Sequence, residues 1–103
     1  MIKISVLYPH SPSAAFDMAY YLEKHMPMVR EKLGPACKGM AVEQGLAGGS
    51  PDAPPTYIAM GHLLFDSAQA FQTAFAPHAS SIMGDIPNYT TIQPIIQVSE
   101  VKL

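Results

Sequence analysis

With 103 residues, 49% of them hydrophobic and only 14% charged, the chain is sized for one folded domain over residues 1–103 and leaves no room for a separate cofactor or substrate module. A net charge of −2 with no cluster of Lys or Arg argues against nucleic acid as a partner. A single cysteine, Cys37, excludes an internal disulfide and a cysteine zinc cluster, and no stretch reaches the roughly 18 unbroken apolar residues of a membrane span or resembles a signal-peptide core. A cytoplasmic protein with no membrane partner is the resulting expectation.

Ile2, Ile4, Val6 and Tyr8 alternate with Lys3, Ser5 and Leu7 up to Pro9, which predicts a first strand. Ser11-Pro12-Ser13 supplies cap and first-turn residues for a helix from about Ser13 to His25, with Ala15, Met18, Leu22, His25 and Val29 as its inward stripe. Pro27 disfavours the helical conformation at Met26, so the spacing predicts a break there, a short second piece ending before Gly34-Pro35, and His25 displayed at a helix end. A second strand follows from Cys37 to Gln44. The Gly- and Pro-rich residues 45–55 form the one long loop. Thr56 to Phe65 is a third strand, apolar on both faces, and Asp66 with Gln69 three residues on predicts the cap of a second helix carrying Ala68, Phe71, Ala74 and Phe75 as far as Pro77. Residues 80–88 are irregular, and a last strand runs from about Tyr89 to Val101, with Pro94 marking an edge or a bulge.

The order is β-α-β-β-α-β, a ferredoxin-like α+β fold with two helices on one face of a four-stranded antiparallel sheet. The other face stays open, and a third strand apolar on both sides makes that face too hydrophobic for a monomer. The economical cover is the same face of a second copy, so a homodimer closed into an α+β barrel is expected.

Three segments carry a resemblance that spans nearly the whole chain. They are Phe16-Asp17-Met18-Ala19-Tyr20-Tyr21-Leu22-Glu23-Lys24-His25-Met26-Pro27, Leu64-Phe65-Asp66-Ser67, and Asp85-Ile86-Pro87-Asn88-Tyr89-Thr90 followed by Gln93-Pro94-Ile95-Ile96-Gln97-Val98-Ser99-Glu100-Val101. Together they resemble the EthD family, named for ethyl tert-butyl ether degradation. The resemblance implies the dimeric α+β barrel, a scaffold shared with muconolactone isomerases, cofactor-free quinone-forming monooxygenases and some polyketide cyclases. It also implies that the His of His25-Met26-Pro27 faces a pocket between helices and sheet. Relatives often carry a Trp at or beside the Tyr20-Tyr21 position, and this chain has no Trp, so an indole-dependent ligand preference does not carry over.

His25 is the leading catalytic candidate, as a general acid/base at the predicted helix end; the plainer reading is a core histidine bonded to a backbone carbonyl. Asp85 is a candidate partner that would orient the ring, set against the ordinary role of Asp in a Gly-Asp-Ile-Pro-Asn turn. Tyr8, Tyr21, Tyr57 and Phe65, with small Ala59 and Gly61 between the last two, are candidates for binding an aromatic or apolar substrate, or else they fill the core. His62 has the opposite strand parity and belongs to another layer. His10, His25, His62 and His78 show no metal-ligand spacing, and the Gly48-Gly49 loop lacks the Lys-Ser/Thr of a phosphate cradle, so no metal and no cofactor are expected. Three readings compete: a cofactor-independent lyase, isomerase or monooxygenase acting on a small apolar or aromatic oxygenated compound; a non-catalytic accessory or carrier for such a compound in a degradation pathway; and a dimeric scaffold with a filled core, whose pocket residues are packing alone.

Overall fold

A computed structural model describes all 103 residues as a four-stranded antiparallel sheet with helices on one face. The strands are β1 (Ile2–Pro9), β2 (Gly39–Gln44), β3 (Tyr57–Phe65) and β4 (Ile95–Glu100), in the spatial order β2-β3-β1-β4. β1 lies at the centre, pairing Ile4 with Leu63 on one side and Val98 on the other. The predicted ferredoxin-like α+β architecture is therefore present, with shorter second and fourth strands than the alternation suggests.

The first helix, α1, departs most from expectation. It starts at Met18, because Asp17 takes the cap and accepts from the Tyr20 amide at 3.0 Å. The chain before it is held instead by a bridge between Phe16 and Thr90. From Met18–Tyr20 the helix passes through a π-helical turn, Tyr21–His25, and continues as Met26–Leu33. There is no break at Pro27. The Met26 amide reaches back five residues to the Tyr21 carbonyl, and Pro27, which has no amide hydrogen to place, sits in the first turn of the next segment. Gly34, at φ +65°, ends α1 in a conformation that side chains disfavour. The wide turn also resets the buried stripe. Tyr21, His25, Val29 and Leu33 point inward at intervals of four, whereas Leu22, expected inside, is half exposed.

The second helix, α2 (Ala68–Phe75), is capped one residue later than expected, by Ser67, whose hydroxyl accepts from the Ala70 amide at 3.1 Å. Pro77 does not end the helical run either. It sits in a tight turn, Ala76–His78, that leads into α3 (Ala79–Gly84), anchored by buried Ile82. A last turn, Ile86–Asn88, delivers Tyr89 and Thr90, which are buried but lie outside any strand.

Two apolar clusters fill the space between sheet and helices. Ile4, Val29, Leu33, Leu63, Phe65 and Ile82 form one; Tyr8, Tyr21, Ala59 and Tyr89 form the other. On the opposite sheet face, Leu7, Met60 and Leu64 lie beside a polar line in which His62 bonds Ser5 at 2.9 Å and Glu43 at 2.8 Å. His62 thus occupies the separate layer its parity predicted. Only 13 of 103 residues are buried, and Ile95, Ile96 and Val98 of β4 are each about half exposed, so the chain leaves much of its apolar surface uncovered.

Candidate functional site

The π-helical turn places Tyr21 and His25 one above the other, their rings stacked with centroids 5.4 Å apart and an interplanar angle of 12°. Such turns recur at functional positions. His25 is therefore not at a helix end, as the Pro27 argument predicted, but buried within a continuous helix.

Asp85 meets it. As the residue capping α3, Asp85 donates its amide to that helix and accepts from the Asn88 amide, so it is also the turn former that its neighbours suggested. Its side chain gathers three donors. Oδ2 accepts from His25 Nδ1 at 2.9 Å, and Oδ1 accepts from the Tyr20 hydroxyl at 2.7 Å and Asn88 Nδ2 at 2.8 Å. Burial alone would raise the Asp85 carboxyl, but donation from Asn88, His25 and Tyr20 outweighs it and holds the group below its usual range. An ionised carboxylate only accepts, so the hydrogen rests on His25 Nδ1 and leaves Nε2 with a free lone pair. Burial is the dominant influence on His25 and keeps its pKa below 6.5 despite the nearby Asp85, so the ring is neutral at neutral pH.

His25 lines a cavity of about 270 Å³ between sheet and helices. Tyr8, Gly61 and Leu63 contribute from the sheet, Val29 and Ile82 from the helices, and Tyr89 from the turn after them. No Lys, Arg, Asp or Glu lines it. The Tyr8 and Tyr89 hydroxyls bond each other at 2.7 Å, and the Tyr89 ring lies 4.7 Å from that of His25. Burial is the largest influence on Tyr8, Tyr21 and Tyr89 and raises all three above the usual phenol range, so they stay protonated.

Of the four ring positions predicted to line a cavity, Tyr8 and Tyr21 do so. Tyr57 shares the strand face but sits at the far end of β3 against Pro9, and Phe65 is fully buried against Phe71 at 5.2 Å between centroids, so both belong to the packing around the cavity rather than its wall. Tyr89, Tyr20 and Asn88 were not singled out from sequence. Tyr89 was read as the start of the last strand, Asn88 as part of the irregular residues 80–88, and Tyr20 as part of the first helix. No group of three or more His, Cys, Asp or Glu side chains converges to hold a metal ion. No helix is long and apolar enough to cross a membrane.

Comparison with known proteins bears on this geometry. The profile of the EthD domain matches residues 10–93. An uncharacterized 11.0 kDa protein of the thcB–thcC intergenic region of Rhodococcus erythropolis is 30% identical over 93 residues, 88% of this chain and 85% of that one. The crystal structure of an EthD-like protein from Ralstonia eutropha JMP134 is 49% identical, covers 99% of this chain and 92% of its own, and superposes with a TM-score of 0.95. An ethyl tert-butyl ether degradation (EthD) family protein from Bacillus halodurans C-125, 20% identical with 99% of each chain covered and a TM-score of 0.75, shares the fold.

Proposed function

Because the chain belongs to the EthD family, we propose that it is a small-molecule-binding α+β barrel protein that takes a small apolar or aromatic oxygenated compound into the cavity beside His25 and moves a proton there. The observation that carries this reading is a buried, neutral imidazole whose Nδ1–H is tied to Asp85 while the ring lines an otherwise apolar cavity. A carboxylate behind one ring nitrogen fixes the tautomer, strengthens the other nitrogen as a base and stabilises the imidazolium formed when it takes a proton. The apolar walls supply binding energy by excluding water, and Tyr8, Tyr21 and Tyr89 give flat surfaces on which a ring can lie. The substrate-facing roles thus go to His25, Tyr8, Tyr21 and Tyr89; Asp85 acts through His25.

The working form is a homodimer. The half-exposed apolar side chains of β4 and the Leu7, Met60 and Leu64 group on the open sheet face support a second copy packed there, closing the two sheets into a barrel.

The test is thermal stabilisation by a panel of small neutral aromatic and quinone-like compounds, followed by turnover assays on those that bind and on His25→Ala with the same compounds. Stabilisation by several of them, with turnover lost in the variant, is expected. A panel in which none stabilises the protein, or turnover that survives His25→Ala, refutes the reading.

A further inference from the structure

The atoms offered at the cavity wall restrict the ligand further. His25 gives its Nδ1 hydrogen to Asp85, so its one remaining polar atom, Nε2, accepts and cannot donate. A ligand atom placed against it must carry a hydrogen; an ether or carbonyl oxygen there would set lone pair against lone pair. The hydroxyls of Tyr8 and Tyr89 share a single hydrogen bond, so one phenolic hydrogen of the pair is left over in the same corner as the imidazole. The charge pattern is equally selective. No cation lines the cavity, its apolar wall cannot hydrate an anion, and the Asp85 carboxylate stands directly behind His25.

Resting on the proposed pocket, we infer that its ligand is a neutral one- or two-ring compound carrying a weakly acidic hydroxyl, a phenol or an enol, bound with that hydroxyl donating to His25 Nε2, and that carboxylates are rejected. About 270 Å³ lies at the small end of ligand cavities and suits that size. The proton transferred is then the ligand's own O–H hydrogen: the O–H bond breaks, its electron pair stays on oxygen as phenolate or enolate, and the hydrogen passes to Nε2, so this anion forms only beside the imidazolium made in the same step, whereas a carboxylate would enter already charged and with no cation to meet it.

Titration calorimetry with three molecules of one skeleton, 2-naphthol, 2-methoxynaphthalene and 2-naphthoate, tests this on the unaltered protein. Naphthol should bind about tenfold or more tightly than its methyl ether, the difference expected when a buried acceptor loses its donor, and naphthoate should give no measurable binding. In Asp85→Asn, where the amide can turn its NH₂ toward the ring and favour the other tautomer, the preference for naphthol over the ether should fall by severalfold. That readout does not move if Asp85 is merely structural. Equal binding of naphthol and its ether overturns the donor assignment while leaving the pocket intact. Naphthoate binding as tightly as naphthol overturns the exclusion of anions. Binding by none of the three overturns both this inference and the pocket it rests on.

Discussion

At Gly61 the sheet lies directly against the Tyr21 side chain of α1, and replacing the glycine tests the packing of the site directly. A Cβ at Gly61 would overlap the Tyr21 hydroxyl, while the next ring atom, Cζ, would lie at 3.4 Å, an ordinary contact. The clash thus belongs to a single oxygen. Gly61→Ala should cost about 1–3 kcal/mol, the usual penalty for overfilling a packed interior, which in a domain of this size lowers Tm by roughly 5–20 °C. Removing the oxygen removes the reason. In the Tyr21→Phe background the same Gly61→Ala change should be neutral, or stabilise by up to about 0.5–1 kcal/mol, because alanine loses less backbone freedom in a strand than glycine does. Calorimetric or fluorescence melts of the four proteins at one fixed concentration complete the cycle. A coupling of at least about 1 kcal/mol is expected. If Gly61→Ala destabilises equally with and without the Tyr21 hydroxyl, the close approach is not what requires glycine.

Ser67→Ala removes the acceptor for the Ala70 amide and should cost about 1 kcal/mol, whereas Asp66→Ala, at the position expected from sequence to cap, should cost less in the same melts. The His25 pKa is lower in the folded protein than its ordinary 6.5, so on acidification the unfolded chain takes up this proton first; the stability that His25 confers is complete above pH 6.5 and declines as pH falls from there through the folded-state value. Melts from pH 7.5 to 5 should therefore fall less steeply for His25→Gln than for the unaltered protein, and identical slopes would refute this. Met60→Glu puts a charge among the apolar side chains of the open sheet face; sedimentation at micromolar concentration should show dimers for the unaltered chain and monomers for the variant, and a monomeric unaltered chain would dispose of the barrel.

The strands and their order were readable because alternation is a local signal. Ile2, Ile4, Val6 and Tyr8 declare a buried face without reference to the rest of the chain, and the register with β3 follows that face. Helix winding was less readable. A stripe drawn at 3.6 residues per turn selects Leu22, whereas the wide turn at Tyr21–His25 selects Tyr21, and Pro27 marks a place where an amide is absent without saying whether the helix will stop or widen. At Asp66-Ser67 two good caps are adjacent, and their backbone conformation decides between them. Half of the site was legible: His25 and Asp85 were chosen for their chemistry, but their meeting spans 60 residues of chain and the Tyr8–Tyr89 bond spans 81, distances over which no pattern in the sequence connects two side chains.

The wide turn in α1 makes the site depend on how many residues the helix contains as well as on which ones. A π turn closes a hydrogen bond over five residues where an α turn closes it over four, so taking one residue out of Tyr21–His25 would let the segment wind as ordinary α-helix while Val29 and Leu33 stay seated on the sheet and Phe16 stays bridged to Thr90. Only the side chains within the turn would change place, and with them the stacking of Tyr21 on His25. Relatives that gain or lose a single codon here can thus acquire a differently shaped chamber in one step, an avenue of divergence closed to point substitution.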